Sequence, residues 1–316
     1  METGKNMPSE SPVANAAGPR IRPKKRRFKF PIAPFLLLLP WLIGLAVFRA
    51  YPIARSFWLS LTHFHIMDDY PVFTGLDNYV RMFTNDHLFF ASVAATLRFV
   101  FLGTPIVLIV AFFIAYVLNF KLKGVNLFRT AYYIPSILGG NVAVAILWRQ
   151  MFRNDGLINA ALGIFGIEPI FWLRTETFAP IVLVILSAWQ FGSTMLIFLA
   201  GLQNVSPTLY EAAEMDGAKK YQQLFRITIP VISPILFFNT INVMLRHFQE
   251  FNAAFLITEG GPLNATLFMN LYIYQRSFAG FEFGYGSALT WILLLGIGAV
   301  TLILWLTSKF WVHYSD

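Results

Sequence analysis

Six apolar stretches separated by polar segments set the plan of this chain of 316 residues. The first starts at Pro31, holds no charge through Phe48 and runs on through Tyr51-Pro52. The others occupy about residues 89–118, 131–152, 178–202, 231–258 and 285–308. Each supplies the ~20 residues that an α-helix needs to cross a bilayer. The pattern predicts an all-α membrane protein with six transmembrane helices, each read as continuous, with no break at the middle of the membrane.

Composition agrees with that plan. Hydrophobic residues make up 57% of the chain and charged residues only 13%, where soluble chains average about 25% charged. Lipid contact explains this deficit better than one or two soluble cores. There is no Cys, which excludes a disulfide framework, a thiol site and Cys-ligated zinc. The net charge of +8 acquires meaning only from its placement. A polar tail at residues 1–29 closes on Arg20, Arg22, Lys24, Lys25, Arg26, Arg27 and Lys29. Such a tail is expected to be disordered and held near anionic headgroups. Abutting an apolar run, it reads as a topology signal rather than a nucleic-acid site. The run itself reads as a retained anchor, not a cleaved signal peptide.

Charge placement then orients the chain. With the N-terminus inside, the tail, the inner connections and the C-terminus carry fifteen Lys and Arg. Lys121, Lys123, Arg129, Lys219, Lys220, Arg226 and Lys309 are among them. The outer connections hold only Arg81, Arg153, Arg174 and Arg276. The positive-inside rule therefore puts both termini in the cytoplasm and the Asp-rich segment 64–88 outside. The predicted organisation is a basic cytoplasmic tail (1–29), a first transmembrane helix with its outer loop (30–88) and a transmembrane core (89–308). That core contains a cytoplasmic stretch at 203–230, and residues 309–316 form a cytoplasmic end.

The stretch 211–230, EAAEMDGAKKYQQLFRITIP, is the most charged segment of the core. Ser206-Pro207 supplies a favoured N-cap followed by Pro at the first helical position. Leu209, Ala212, Ala213 and Asp216 then share one side of a helix. Gly217 suits the left-handed conformation that ends it. A second helical run from Ala218 to about Thr228 places Tyr221, Leu224, Phe225 and Thr228 on one stripe. Glu211-Ala212-Ala213, Gly217 and Ile227-x-Ile229-Pro230 together resemble the signature of binding-protein-dependent ABC importer permeases. The flanking FLAGLQNVSPTLYEAAEMDGA, the later LITEGGPLNAT and the outer FTGLDNYVRMF are similar to carbohydrate permeases of the maltose and glycerol-phosphate type. The likeness covers about residues 35–305, and Ile229 departs from the usual Leu.

That resemblance implies the type I ABC importer transmembrane fold with a cytoplasmic coupling helix. It implies a homologous second permease subunit, two ATP-binding subunits that hold ATP and Mg, and a periplasmic or extracellular solute-binding protein. Glu211, Ala212, Ala213, Asp216 and Gly217 would contact the ATPase. The cargo implied is an oligosaccharide, and YYIPSILGGNVAVAILWRQMF is similar to permeases for acidic oligouronides such as alginate or pectin fragments. A neutral sugar, or a glycerol-phosphate ester, is the near alternative. The membrane implied is the bacterial inner membrane. From another class, an ATP-independent carrier or channel would need repeats with broken helices and leaves the cytoplasmic stretch without a role.

Chemistry within the chain itself is sparse. No G-x-x-x-x-G-K-[ST] run is present, so the chain has no phosphate-cradling loop of its own. The five His are scattered, with no H-E-x-x-H or paired-carboxylate pattern. The chain therefore reads as a non-enzyme without a cofactor or metal of its own. Polar residues inside the spans are the informative ones. Asn239, Asn242, Arg246 and Glu250 step by three, four and four, which puts them on one face of the fifth span. An Arg at mid-membrane costs about 2.5–3.5 kcal/mol on insertion scales, so it calls for a partner or water. One reading is a self-contained Arg246–Glu250 pair. The other makes this stripe, with Arg98 and Gln190, the lining of a translocation path. Ser187, Gln190 and Thr194 form a similar stripe on the fourth span, where helix packing is an equal explanation. His247 fits a packed histidine as well as a ligand. Tyr272, Tyr274, Phe281, Phe283 and Tyr285 suit an interfacial aromatic belt better than a sugar-stacking platform.

Overall fold

The computed structural model describes residues 32–120 and 124–313. The basic tail, Lys121, Lys123 and the residues after His313 lie outside these. The chain divides after Pro52 into two units, each taken by itself. In the first, α1 (Ile32–Leu45) passes into a π-helical turn, Ala46–Ala50; α2 (Tyr51–Ser60) crosses the division, and Leu37–Ser60 is long and apolar enough to cross a membrane. This helix continues past the expected end at Pro52, and this residue, which lacks an N–H, comes just after the π-helical turn, where Tyr51 N bonds Ala46 O.

The second unit opens with a short antiparallel pair, β1 (Thr62–His63) and β2 (Val72–Phe73), then α3 (Asp77–Thr84). Asp86 caps the 33-residue α4 (His87–Asn119) by accepting the backbone N–H groups of Leu88 and Phe89. Helix α5 (Val125–Leu138) and α6 (Val142–Met151) make one apolar pair bent by 98°. After α7 (Leu157–Ile164), α8 (Phe178–Trp189) and α9 (Gly192–Gln203) form a second pair, bent by 48°. Helices α10 (Pro207–Met215), α11 (Lys220–Gln223) and α12 (Ile229–Val231) follow, with a π-helical segment Leu224–Thr228 between the last two. The run Lys220–Val231 meets α13 (Ser233–Phe248) at 69°. A π-helical segment at Ala254–Thr258, α14 (Met269–Tyr274), another at Gln275–Ala279 and the long α15 (Phe283–Ser308) complete the unit.

Among the described residues, three helices are long and apolar enough to cross a membrane alone, and the three bent pairs bring the total to as many as six. The expectation of continuous spans is corrected here. The third breaks at Gly139-Gly140-Asn141, where two poor helix formers precede a natural N-cap, and Asn141 Oδ1 accepts from Ala143 N. The fourth breaks after Gln190. The fifth loses its α-helical form after Phe248 and resumes as the π-helical segment. In lipid such breaks persist only where neighbouring groups satisfy the freed backbone or water reaches it.

Helix α4 is the centre of the packing, touching α8, α9 and α13. Ser92, Ala95, Phe99, Gly103, Val107, Ala111 and Ala115 recur every three or four residues and are all buried. Small residues in that stripe let neighbouring backbones approach. The opposite face carries Phe101, Leu102, Ile109 and Phe113, all exposed, as a lipid-facing surface requires.

Candidate translocation cavity and coupling stretch

The three helix breaks converge. Residues from the α5–α6 break (Gly139, Gly140, Asn141), the α8–α9 break (Gln190) and the end of α13 (Arg246, Glu250) line a single cavity of about 190 Å³. Gln190 Nε2 donates to Gly139 O at 3.1 Å. Ser136 Oγ donates to Gln190 O at 3.1 Å and accepts from Ser193 N at 3.0 Å. The polar groups freed by one break are thus satisfied by another, as burial demands.

Of the residues expected along the path, Gln190, Arg246 and Glu250 reach this cavity. Arg246 Nη2 donates to Thr194 Oγ1 at 3.0 Å, while Glu250 Oε1 accepts from Ala253 N at 2.9 Å. The Arg246–Glu250 pair is not among the ion pairs of the described residues. The reason is geometric: α13 stops at Phe248, so Glu250 lies beyond the helix and i to i+4 spacing no longer applies. Asn239 turns from the cavity, buried, and donates to Thr194 O. Asn242 folds onto its own helix at Phe238 O, 2.8 Å away. Arg98 is exposed on α4 beside buried Phe99 and Val100 and does not line the cavity. Helix α4 presents its other face to the core, which leaves Arg98 outside.

His247 is packed between helices and also lines the cavity. Its Nδ1 lies 3.0 Å from Thr104 Oγ1 and its Nε2 2.5 Å from Ser187 Oγ. Phe99 stands against the ring at 4.8 Å, and a Cβ on Gly103 would lie 3.0 Å from its Cε1. One imidazole therefore joins α4, α8 and α13. Sequence reasoning missed Ser136, Gly139 and Asn141. The Gly-Gly-Asn run was the available signal, a breaker pair inside an apolar span.

At the other site, α10 has Ser206 before Pro207 and ends as expected. Gly217 adopts φ +75°, with Ala218 N bonded to Ala213 O at 2.9 Å and Gly217 N to Glu214 O at 3.0 Å. These two bonds form a Schellman motif, which needs the left-handed residue. Leu209, Ala212 and Asp216 face outward and Ala213 is half-buried, while Tyr210 turns inward and its hydroxyl meets Thr228 Oγ1 at 2.9 Å. Glu211 is exposed. Lys220 hydrogen-bonds Glu214 and, with Gln223, holds its carboxyl below the usual range. The expected stripe in the second run is corrected: Tyr221 and Phe225 are exposed, and Gln223 and Thr228 are buried. The π-helical segment adds a residue to the turn and rotates the face.

The outer aromatics also differ from expectation. Tyr272 and Tyr285 are 1% and 2% exposed, so they are neither belt nor platform. Both hydroxyls donate to Asp86 Oδ2. Arg276 Nε donates to Tyr272 Oη at 2.8 Å, and Arg81 pairs with Glu282 at 3.0 Å. Burial pushes the Asp86 carboxyl up, but the two tyrosines, the Phe89 N–H and Arg276 together hold it below its ordinary value.

A mostly helical membrane unit with a cavity at converging helix breaks, and a charged helix–turn–helix at one end, defines a membrane permease component. The chain belongs to the family of binding-protein-dependent transport system inner membrane components, whose family model matches residues 84–315. It is 45% identical over 288 residues to the probable ABC transporter permease protein YesP of Bacillus subtilis, covering 90% of this chain and 93% of that one. The lactose transport system permease protein LacF of Rhizobium radiobacter is 34% identical over 282 residues, covering 87% and 93%. Among solved structures, a bacterial ABC transporter involved in import of the acidic polysaccharide alginate matches with TM-score 0.74 and 19% identity. That match covers 88% of this chain and 95% of the other. Its likeness bears on the fold.

Proposed function

We propose that this chain is the transmembrane permease subunit of an ATP-driven importer that passes an oligosaccharide from a solute-binding protein into a bacterial cytoplasm. The observation that carries the reading is the cavity at the three breaks, with Gln190, Arg246 and Glu250 on its wall. Hydrogen-bonding groups of both kinds at a helix discontinuity suit a polyhydroxylated cargo. Two relatives' names support a carbohydrate, lactose for LacF and arabinooligosaccharides for AraP of Bacillus subtilis, while sn-glycerol-3-phosphate for UgpA of Yersinia pestis supports the phosphate-ester alternative.

Residues 203–230 lie in the cytoplasm in this reading, with both termini. Glu211, Ala212, Ala213, Asp216 and Gly217 dock on an ATP-binding subunit, which holds ATP and Mg. A second, homologous permease and a second ATP-binding subunit complete the assembly. Closure of the ATPase pair moves α10 as a lever, and both events bias one two-state element, as coupling requires. The finer reading of the cargo is an acidic oligosaccharide, supported by Arg246, whose guanidinium is held by the Thr194 hydroxyl and by no carboxylate among the described residues. Glu250 on the same wall counts toward a neutral one.

The test is uptake of labelled oligosaccharides by cells that carry or lack this gene. Uptake of one sugar class that disappears with the gene supports the proposal, and uronate oligomers alone support the acidic cargo. Unchanged uptake of every sugar overturns it.

A further inference from the structure

Four buried side-chain polar atoms of the described residues have no hydrogen-bond partner, and Arg129 Nε is the one that belongs to a charged group. Arg129 itself is half-buried at the start of α5, and its guanidinium makes no hydrogen bond or ion pair among the described residues. Arg129 lines a groove of about 650 Å³ where four helix ends meet: the C-terminal ends of α4 and α9 and the N-terminal ends of α5 and α10. Leu118, Leu202 and Val205 form its buried floor, and Phe120 stands exposed at its rim.

We propose that this groove binds an anionic phospholipid, with its phosphodiester against Arg129 and the start of an acyl chain over Leu118, Leu202 and Val205. The chemistry matches at both ends: the Arg129 guanidinium on the groove wall meets the phosphate, and an apolar floor continues toward the hydrocarbon. Depth matches as well, because the groove begins where the apolar α4 ends, at Asn119. Basic pockets between membrane helices are established headgroup sites in general. The groove also includes Pro207 and Tyr210 of α10, so an occupying lipid touches the element assigned to ATPase contact. Only the choice of leaflet rests on the proposed orientation; the site itself does not.

The test is native mass spectrometry of the purified full-length chain with equal amounts of dioctanoyl phosphatidylglycerol and dioctanoyl phosphatidylcholine. This mixture is blind to leaflet, so an error in the orientation cannot imitate failure of the site. Wild type should retain the glycerol lipid about fivefold over the choline lipid, the effect of one basic residue at the surface. R129Q should abolish the preference, R129K should keep most of it, and R153Q, on the outer connection, should leave it unchanged. V125W, which fills the groove while keeping Arg129, should lower retention of both lipids. Excess inorganic phosphate should not displace the lipid. Equal retention by wild type, a preference that survives R129Q or V125W, or displacement by phosphate overturns the proposal.

Discussion

Gln190 and Gly139, 51 positions apart in the chain, are joined by a hydrogen bond of 3.1 Å between the side-chain amide of one and the carbonyl of the other. It ties the break in one bent helix pair to the break in another. A Cβ on residue 139 would fall 2.2 Å from Gln190 Cδ, so even Ala evicts the amide. Gly139→Ala and Gln190→Ala are expected to be non-additive in thermal melts of the detergent-purified protein. The coupling should be about 1 kcal/mol, the worth of one such bond. Additive effects would mean that the two breaks are independent.

His247→Ala removes a ring that fills the space between three helices and meets two hydroxyls. Lost packing and two unpartnered hydroxyls predict a cost of roughly 3 kcal/mol. A denaturation series on the same preparation measures it, and a loss under about 1 kcal/mol would contradict the packed role.

Asp86 yields a pH prediction. Its carboxyl is depressed in the folded state, so its stabilisation is complete above the unfolded value of about 4 and fades as pH falls through the lower folded value. Asp86→Asn should therefore melt below wild type, by roughly 2 kcal/mol for weakened charged hydrogen bonds. The gap should hold from neutral pH to about pH 4 and narrow below it. A gap that widens on acidification would reverse the sign and refute the assignment.

Arg246 and Arg98 separate the two readings of the mid-span arginines. Arg246→Gln should depress uptake at least about tenfold, the effect of losing one charged contact of ~1.4 kcal/mol or more. Arg98→Gln should leave uptake near wild type, because Arg98 lies off the cavity. Uptake assays at matched membrane levels distinguish them, and equal loss in both variants would move the path toward the exposed face of α4.

Much of the architecture was legible because lipid imposes simple rules. Apolar length gave the spans, and Ser206-Pro207 and Gly217 marked the ends of α10 through local backbone chemistry. The breaks were harder to see. Hydropathy averages over Gly139-Gly140-Asn141 without registering that the chain turns there. The end of α13 at Phe248 carries no breaker at all, so a face drawn at i to i+4 ran too far and paired Arg246 with Glu250. Arg98 misled for another reason: periodicity places a residue on a helix face but does not say which face the core takes. Asp86 looked like one more acid of an outer loop, and only the fold brings Tyr272 and Tyr285 to it.

The account stands most directly on residues 203–230 as the contact with an ATP-hydrolysing partner. The measurement is ATPase activity of the chain reconstituted with the products of neighbouring genes, with and without sugar-loaded binding protein. Wild type should co-purify with the ATPase and be stimulated by loaded binding protein. Gly217→Pro and Ala213→Trp should insert in the membrane yet lose that stimulation, since the first forbids the φ of +75° and the second blocks close approach of α10. A chain that never associates with an ATPase, or variants that transport and hydrolyse as wild type does, would contradict the account.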